Sequence, residues 1–297
     1  MIAATLMWSI AGVVTRHLEA ARGFEVTFWR SAFNALALVV LLSWLRGPAV
    51  LWRSVREGGR MLWLSGLCWA VMFTAFMLAL TMTTVANVLV TMSLTPLLTA
   101  LMSRALLGHR LAWRTWVAIV VAGVGIGWMY GSQVSGGGAR TLLGTLVALC
   151  VPVAAAVNWT LLHHVSRSPN DESDHGDMLP AVLIGALISS ALTLPLCWPF
   201  AASPGDLRLL ALLGVVQLAI PCLLAVRVSR VLSAPEISLL GLLEVVFGVA
   251  WAWLGAGEAP GSAVLGGGAL VLGAMVFNEA WALRGRTSIG PATMETR

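Results

Sequence analysis

The sequence predicts an all-α polytopic membrane protein: ten transmembrane helices arranged as two inverted five-helix repeats. Three observations carry that expectation. They are a hydrophobic surplus, a ladder of helix-length apolar runs, and an internal echo halfway along the chain.

The surplus comes first. Of 297 residues, 59% are hydrophobic and 10% charged, with a mean hydropathy of +0.89. Soluble domains carry about 25% charged residues, so this chain cannot clothe its own surface with polar groups, and its solvent is lipid. At about 20 residues per crossing, it has room for roughly ten helices and short loops. Ten-residue alternating segments are absent, which argues against an outer-membrane barrel. A net charge of +5 would suggest nucleic acid in a soluble protein, but all 18 basic residues are Arg, and most lie in loops between apolar runs. They read as topology signals, and no nucleic-acid partner is expected.

The apolar runs span 1–18, 24–45, 61–80, 84–106, 113–130, 142–165, 178–199, 206–226, 233–254 and 262–283. A Gly/Ser-rich stretch, 132–141, reads as a flexible linker between a first repeat (1–131) and a second (142–284), with 285–297 as a cytoplasmic tail. No charged n-region with a cleavage site opens the chain, so no removable signal peptide is expected. With the N-terminus inside, inner segments hold Arg46, Arg53, Arg56, Arg60, Arg104, Arg110, Arg114, Arg167, Arg227, Arg230, Arg284, Arg286 and Arg297. Outer segments hold only Arg16, Arg22, Arg30, Arg140 and Arg208. That bias predicts both termini in the cytoplasm, and a bacterial-type inner membrane is the expected location.

The echo is specific in order. Trp8-Ser9 followed by Thr15-Arg16 returns as Trp159-Thr160 followed by Ser166-Arg167. Ala86-Asn87, Thr95 and Gly108-His109 return as Pro235-Glu236, Glu244 and Gly257-Glu258. Gly123, Gly125 and Gly127 in the fifth run answer Gly266, Gly267, Gly268 and Gly273 in the tenth. Glycines inside apolar helices serve close helix packing, not nucleotide binding. Five spans per repeat is odd, so the second copy enters the membrane from the opposite side, which creates a pseudo-two-fold axis in the membrane plane. Two such halves can rock about a central site, giving alternating access.

Several features have bland readings. Cys68, Cys150, Cys197 and Cys222 lie inside apolar runs without CxxC spacing and read as buried thiols. Asp171, Glu172, Asp174 and Asp177 lie in the polar loop 166–177, which matches no calcium loop, and neither metal nor cofactor is expected. Adjacent His163 and His164 point about 100° apart on a helix and read as an interfacial pair.

The chain resembles the EamA-type transporters of the drug/metabolite transporter superfamily over essentially its whole length. The resemblance rests on Met7-Trp8-Ser9, Phe28-Trp29-Arg30-Ser31-Ala32, and Ser93-Leu94-Thr95-Pro96-Leu97 running to Leu107-Gly108-His109-Arg110-Leu111. In the second half it rests on Leu232-Ser233-Ala234-Pro235-Glu236, Leu243-Glu244 and Gly257-Glu258. Two departures stand out: His109 where the family usually has Glu, and Val245 where it often has Pro. The resemblance implies a secondary transporter that exports small metabolites, with neutral, hydrophobic or aromatic amino acids first among them. It implies no enzymatic activity. An integral membrane enzyme acting on lipid or prenyl groups, or a small-molecule channel, are the rival readings.

Candidate substrate contacts follow from polarity and depth. An ionisable group at mid-membrane costs about 2.5–3.5 kcal/mol on insertion scales, so Glu244 should face a cavity or a partner. It reads either as a substrate-amine contact or protonatable switch, which would suit proton coupling, or as a carboxyl bonded to a neighbouring helix. Asn87, Thr91 and Thr95 form a polar stripe on the fourth helix. Asn158 and Gln217 interrupt the sixth and eighth, and each of these is either a ligand contact or interhelical glue. Of fourteen Trp, most fall at helix ends, where indole favours the interface, whereas Trp8, Trp69, Trp159 and Trp251 lie deeper. Trp8 and Trp159 are repeat mates placed to flank an apolar or aromatic substrate. Pro96, Pro152, Pro195 and Pro221 each remove a helical hydrogen bond and mark candidate kinks for gating.

Overall fold

A computed structural model describes residues 1–107, 113–136, 138–166, 178–232 and 234–287. The Gly108-His109-Arg110-Leu111 motif, the acidic loop from Arg167 to Asp177 and the tail beyond Thr287 lie outside the described residues.

The ten runs become ten spans, several of them broken. Span one is α1 (Ile2–Ser9) plus α2 (Ala11–Arg16), and span two is α3 (Phe24–Arg46). A short helix α4 (Pro48–Glu57), which the apolar runs did not predict, precedes span three, α5 (Arg60–Met82). Span four is α6 (Val85–Met92) plus α7 (Thr95–Leu107), and span five is α8 (Trp113–Gly136). Then come α9 (Ala139–Ser166), α10 (Leu179–Thr193) and the eighth span, which joins α11 (Pro204–Leu212), a π-helical segment (Leu213–Ala219) and α12 (Ile220–Val228). α13 (Ala234–Ala256) and α14 (Ser262–Thr287) complete the set. Among the described residues, six spans reach 18 residues or more of sustained apolarity; Ile2–Arg16, Trp116–Gly125, Leu240–Ala256 and Ser262–Ala274 are shorter apolar stretches.

Two boundaries differ from expectation. α8 runs to Gly136 and α9 begins at Ala139, so much of the Gly/Ser stretch is helical. Gly and Ser lower helix propensity by only a fraction to about 1 kcal/mol each, and two long flanking helices overcome that. α4 exists because Pro48 starts a helix well and Leu51 inserts into the core while Trp52, Arg53 and Arg56 stay outside. Its arginines are therefore carried on a surface helix, not in an open loop.

The helices bury polar side chains among apolar ones and turn apolar faces outward. On α3, Arg30, Asn34, Leu38 and Leu42 share the buried face, while Leu36, Val40 and Trp44 form an exposed one. In water that outer stripe would be an aggregation surface; in lipid it is the expected face. Trp251, which reads as deep from its position along the chain, also points outward.

The halves meet through close backbone contact. A Cβ at Gly125 on α8 would stand 2.7 Å from the Gly267 carbonyl of α14. A Cβ at Gly214 would stand 2.8 Å from the Arg30 carbonyl, so the π segment lies directly against α3. Hydroxyl bridges add to this: Ser189 on α10 meets Ser31 at 2.9 Å and Thr74 at 2.8 Å.

Candidate functional site

A cavity enclosing roughly 820 Å³, its open mouth included, lies between the halves. α1, α3, α5, α6 and α7 of the first half line it, with α9, the π segment, α12 and α13 of the second. Met1 and Ile237 are among its walls, so it reaches the face from which α1 and α13 start. Its lining is mainly apolar and aromatic: Trp8, Trp69, Phe73, Phe76 and Trp159, with Met72 and Met92. Trp69 meets Trp159 edge-on at 5.7 Å and tilts against Phe73 at 5.4 Å.

Two ionisable side chains, Arg30 and Glu244, break that apolar surface. Arg30, 1% exposed, donates from Nε to Gln217 Oε1 at 3.2 Å and from Nη1 to the Phe73 carbonyl at 3.5 Å. Its guanidinium carbon stands 5.6 Å from the Phe76 ring centre, a cation–π contact. Glu244 lines the same cavity from α13, and it forms no direct ion pair with Arg30. Guanidinium presents five donors, and the protein engages two through neutral oxygens. The arrangement can therefore accept an anionic group at one wall and a cationic group at another.

Gln217 holds this geometry. Its Nε2 donates to the Trp8 carbonyl at 3.2 Å while its Oε1 accepts from Arg30, which ties spans one, two and eight together. The π segment containing it is a local widening of the helix, a feature frequent at functional sites. Pro221 follows directly at the start of α12 and cannot supply the backbone N–H of a regular α-turn.

The predicted site residues divide into two groups. Trp8, Thr95, Trp159, Gln217 and Glu244 line the cavity. Asn87, Thr91 and Asn158 do not. Asn87 donates to Thr83 Oγ1 at 2.9 Å in the α5–α6 turn, Thr91 to the Asn87 carbonyl one turn back in its own helix at 2.7 Å, and Asn158 accepts from Ser65 at 2.6 Å, a bond that joins α9 to α5. The prolines are equally distinct. Pro96 is the second residue of α7, just after the break at Ser93–Leu94, and Pro221 follows the π segment. Pro152 lies within an unbroken α9, and Pro195 sits in the 3₁₀ turn Leu194–Leu196 that ends span seven. Pro195 is thus terminal, where a missing N–H removes no mid-span hydrogen bond.

Sequence reasoning missed Arg30 by counting it among outer loop charges. Its position six residues inside α3, flanked by Trp29 and Ser31, is the signal that separates a buried cation from a topology marker.

These features define a multi-pass membrane protein with a central cavity at the junction of two halves, the architecture of a small-molecule transporter. The sequence profile of the EamA-like transporter family matches residues 1–131 and again 142–279, and the chain belongs to that family. The paired match also establishes the internal duplication. No curated protein matches the chain. Among solved structures, a crystal structure similar in fold has a TM-score of 0.67 and 20% identity, covering 95% of this chain and 96% of that one.

Proposed function

We propose that the chain exports neutral zwitterionic amino acids, hydrophobic or aromatic ones first, by alternating access between its two halves in a bacterial inner membrane with both termini in the cytoplasm. The observation that carries the substrate class is the unpaired placement of Arg30 and Glu244 in one aromatic cavity. A carboxylate matches the guanidinium fork, an ammonium matches Glu244, and an apolar side chain matches the Trp, Phe and Met walls. A substrate with all three parts offers each ionisable group the counter-charge that the protein leaves it without. Glu244 also supplies the group on which proton coupling would act.

Counterflow in proteoliposomes tests this. Saturable exchange of a labelled aromatic amino acid is expected, with its amide and its deaminated acid both much weaker competitors. Absence of saturable exchange for every amino acid tried would remove the substrate assignment.

A further inference from the structure

Met1 and Ile237 line the cavity toward the face where α1 and α13 begin, and at the far end of span one Arg16 meets Glu258, which follows α13. We propose that Arg16 and Glu258 form the gate on the opposite face, and that their separation is required to expose the cavity there. This proposal concerns closure and stands apart from the identity of the substrate.

Arg16 ends α2 in the first half, and Glu258 follows α13 in the second. Arg16 Nε meets Glu258 Oε2 at 2.7 Å, while its two terminal nitrogens donate to the carbonyls of Leu80 at 2.8 Å and Thr83 at 2.9 Å. The other Glu258 oxygen accepts the Val85 backbone N–H at 2.6 Å. The pair therefore straddles the α5–α6 turn. The last carbonyls of α5 and the first N–H of α6 have no helical partners of their own. A cation at the helix C-terminus and an anion at the N-terminus satisfy them and match both dipoles. Gly257, at φ +65°, makes the turn that brings Glu258 back over this junction.

An isolated surface ion pair contributes little, but this one sits in a network that joins three segments drawn from both halves. It also retains contact with water: the side chains are 29% and 17% exposed. Separation would rehydrate both charges, which suits a contact that opens and closes. A deeply buried pair lacks that property.

Beneath the pair, α13 lies flat against spans one and four. A Cβ at Gly255 would come 2.6 Å from Val13 Cγ2 and one at Gly248 would collide with Leu89, while a Cβ at Gly12 of span one would collide with Val85 of span four. Leu89 in turn lines the cavity. The route from cavity to gate thus runs along a seam of small residues between α13 and spans one and four, with Arg16–Glu258 as its outer clasp. Opening this face means parting that seam.

The test uses the full chain in vesicles of known orientation, with Cys68, Cys150, Cys197 and Cys222 replaced by Ser and a single reporter, Leu89→Cys. A membrane-impermeant maleimide is added on the Arg16 side. Arg16→Gln and Glu258→Gln should each raise the initial labelling rate about fivefold or more, the population change that loss of one charge-assisted bond produces. The double variant should label no faster than the quicker single, because the two residues act as one unit. High salt should also accelerate labelling in the otherwise unaltered background by screening the pair, and should do nothing further in Glu258→Gln. The salt measurement does not depend on how well any gate variant folds. Unchanged rates in both singles, a double whose effect is the product of the two, or a background indifferent to salt would each overturn the gate.

Discussion

The guanidinium of Arg30 and the carboxylate of Glu244 line one cavity from opposite halves of the molecule without forming an ion pair. Ionisable groups held apart in a low-dielectric space are costly to charge unless something comes between them. On the proposed function, that something is the substrate.

Glu244→Gln should therefore discriminate among ligands. A charge-assisted hydrogen bond contributes about 1.5–3 kcal/mol, so apparent affinity for an amino acid should fall by roughly tenfold to a hundredfold. Affinity for the deaminated acid, which has no ammonium to lose, should change little. Competition in counterflow reads both, repeated across pH to show whether the carboxyl also carries a coupled proton. An equal loss for acid and amino acid would place Glu244 in a structural role.

Arg30→Lys is the reciprocal case. Lysine keeps the charge but loses the planar fork and the stacking on Phe76. Affinity for carboxylate ligands should drop, while binding of the corresponding amino acid amide should hold steady. Competition by amide and acid against one labelled substrate measures the difference.

Gln217→Leu removes two bonds at once and leaves Arg30 Nε and the Trp8 carbonyl without their partner. An orphaned buried polar group costs about 1–3 kcal/mol. Melting in detergent should fall measurably. Half-saturation should rise more than maximal rate falls, because the Arg30 fork loses its alignment before the halves lose their ability to rock.

How much of this was legible in the sequence follows from how each signal arises. Ten spans and the duplication show plainly, because hydropathy and repeated motifs are local. Gln217, Glu244 and the pair Trp8 and Trp159 stand out because polar or bulky groups at mid-span are conspicuous. Arg30 escaped notice because a charge counted by residue number looks the same whether it ends a helix or lies inside one. Asn87, Thr91 and Asn158 misled for the opposite reason: a polar stripe identifies a face, but its partner is a neighbouring helix or the helix's own carbonyls. The Arg16–Glu258 contact joins residues 242 positions apart, and no periodicity in one chain reveals such a pairing.

Thr95 illustrates a repair that constrains mutation. Pro96 has no N–H to give the Met92 carbonyl, and the Thr95 hydroxyl donates to it instead at 2.6 Å. Thr95→Val should leave that carbonyl unserved and lower stability by about 1 kcal/mol. Adding Pro96→Ala restores the N–H and should recover much of the loss. Stability measured for the pair, singly and combined, checks the compensation; additive losses would refute it.

The glycines of α8 allow a sharper comparison, because two of them differ only in what they face. A Cβ added at Gly125 would press on the Gly267 carbonyl of α14 at 2.7 Å, and backbone cannot move aside as a flexible side chain can. A Cβ added at Gly123 meets nothing within 4 Å. Gly123→Ala should be neutral or stabilising, since alanine gains about 1 kcal/mol of helix propensity. Gly125→Ala gains the same propensity but must push two helices apart, and overpacking costs typically 1–3 kcal/mol. The two substitutions should thus shift the melting temperature in opposite directions. If they shift it alike, the contact between the fifth and tenth spans is not backbone to backbone, and the close seam between the halves would have to be sought elsewhere.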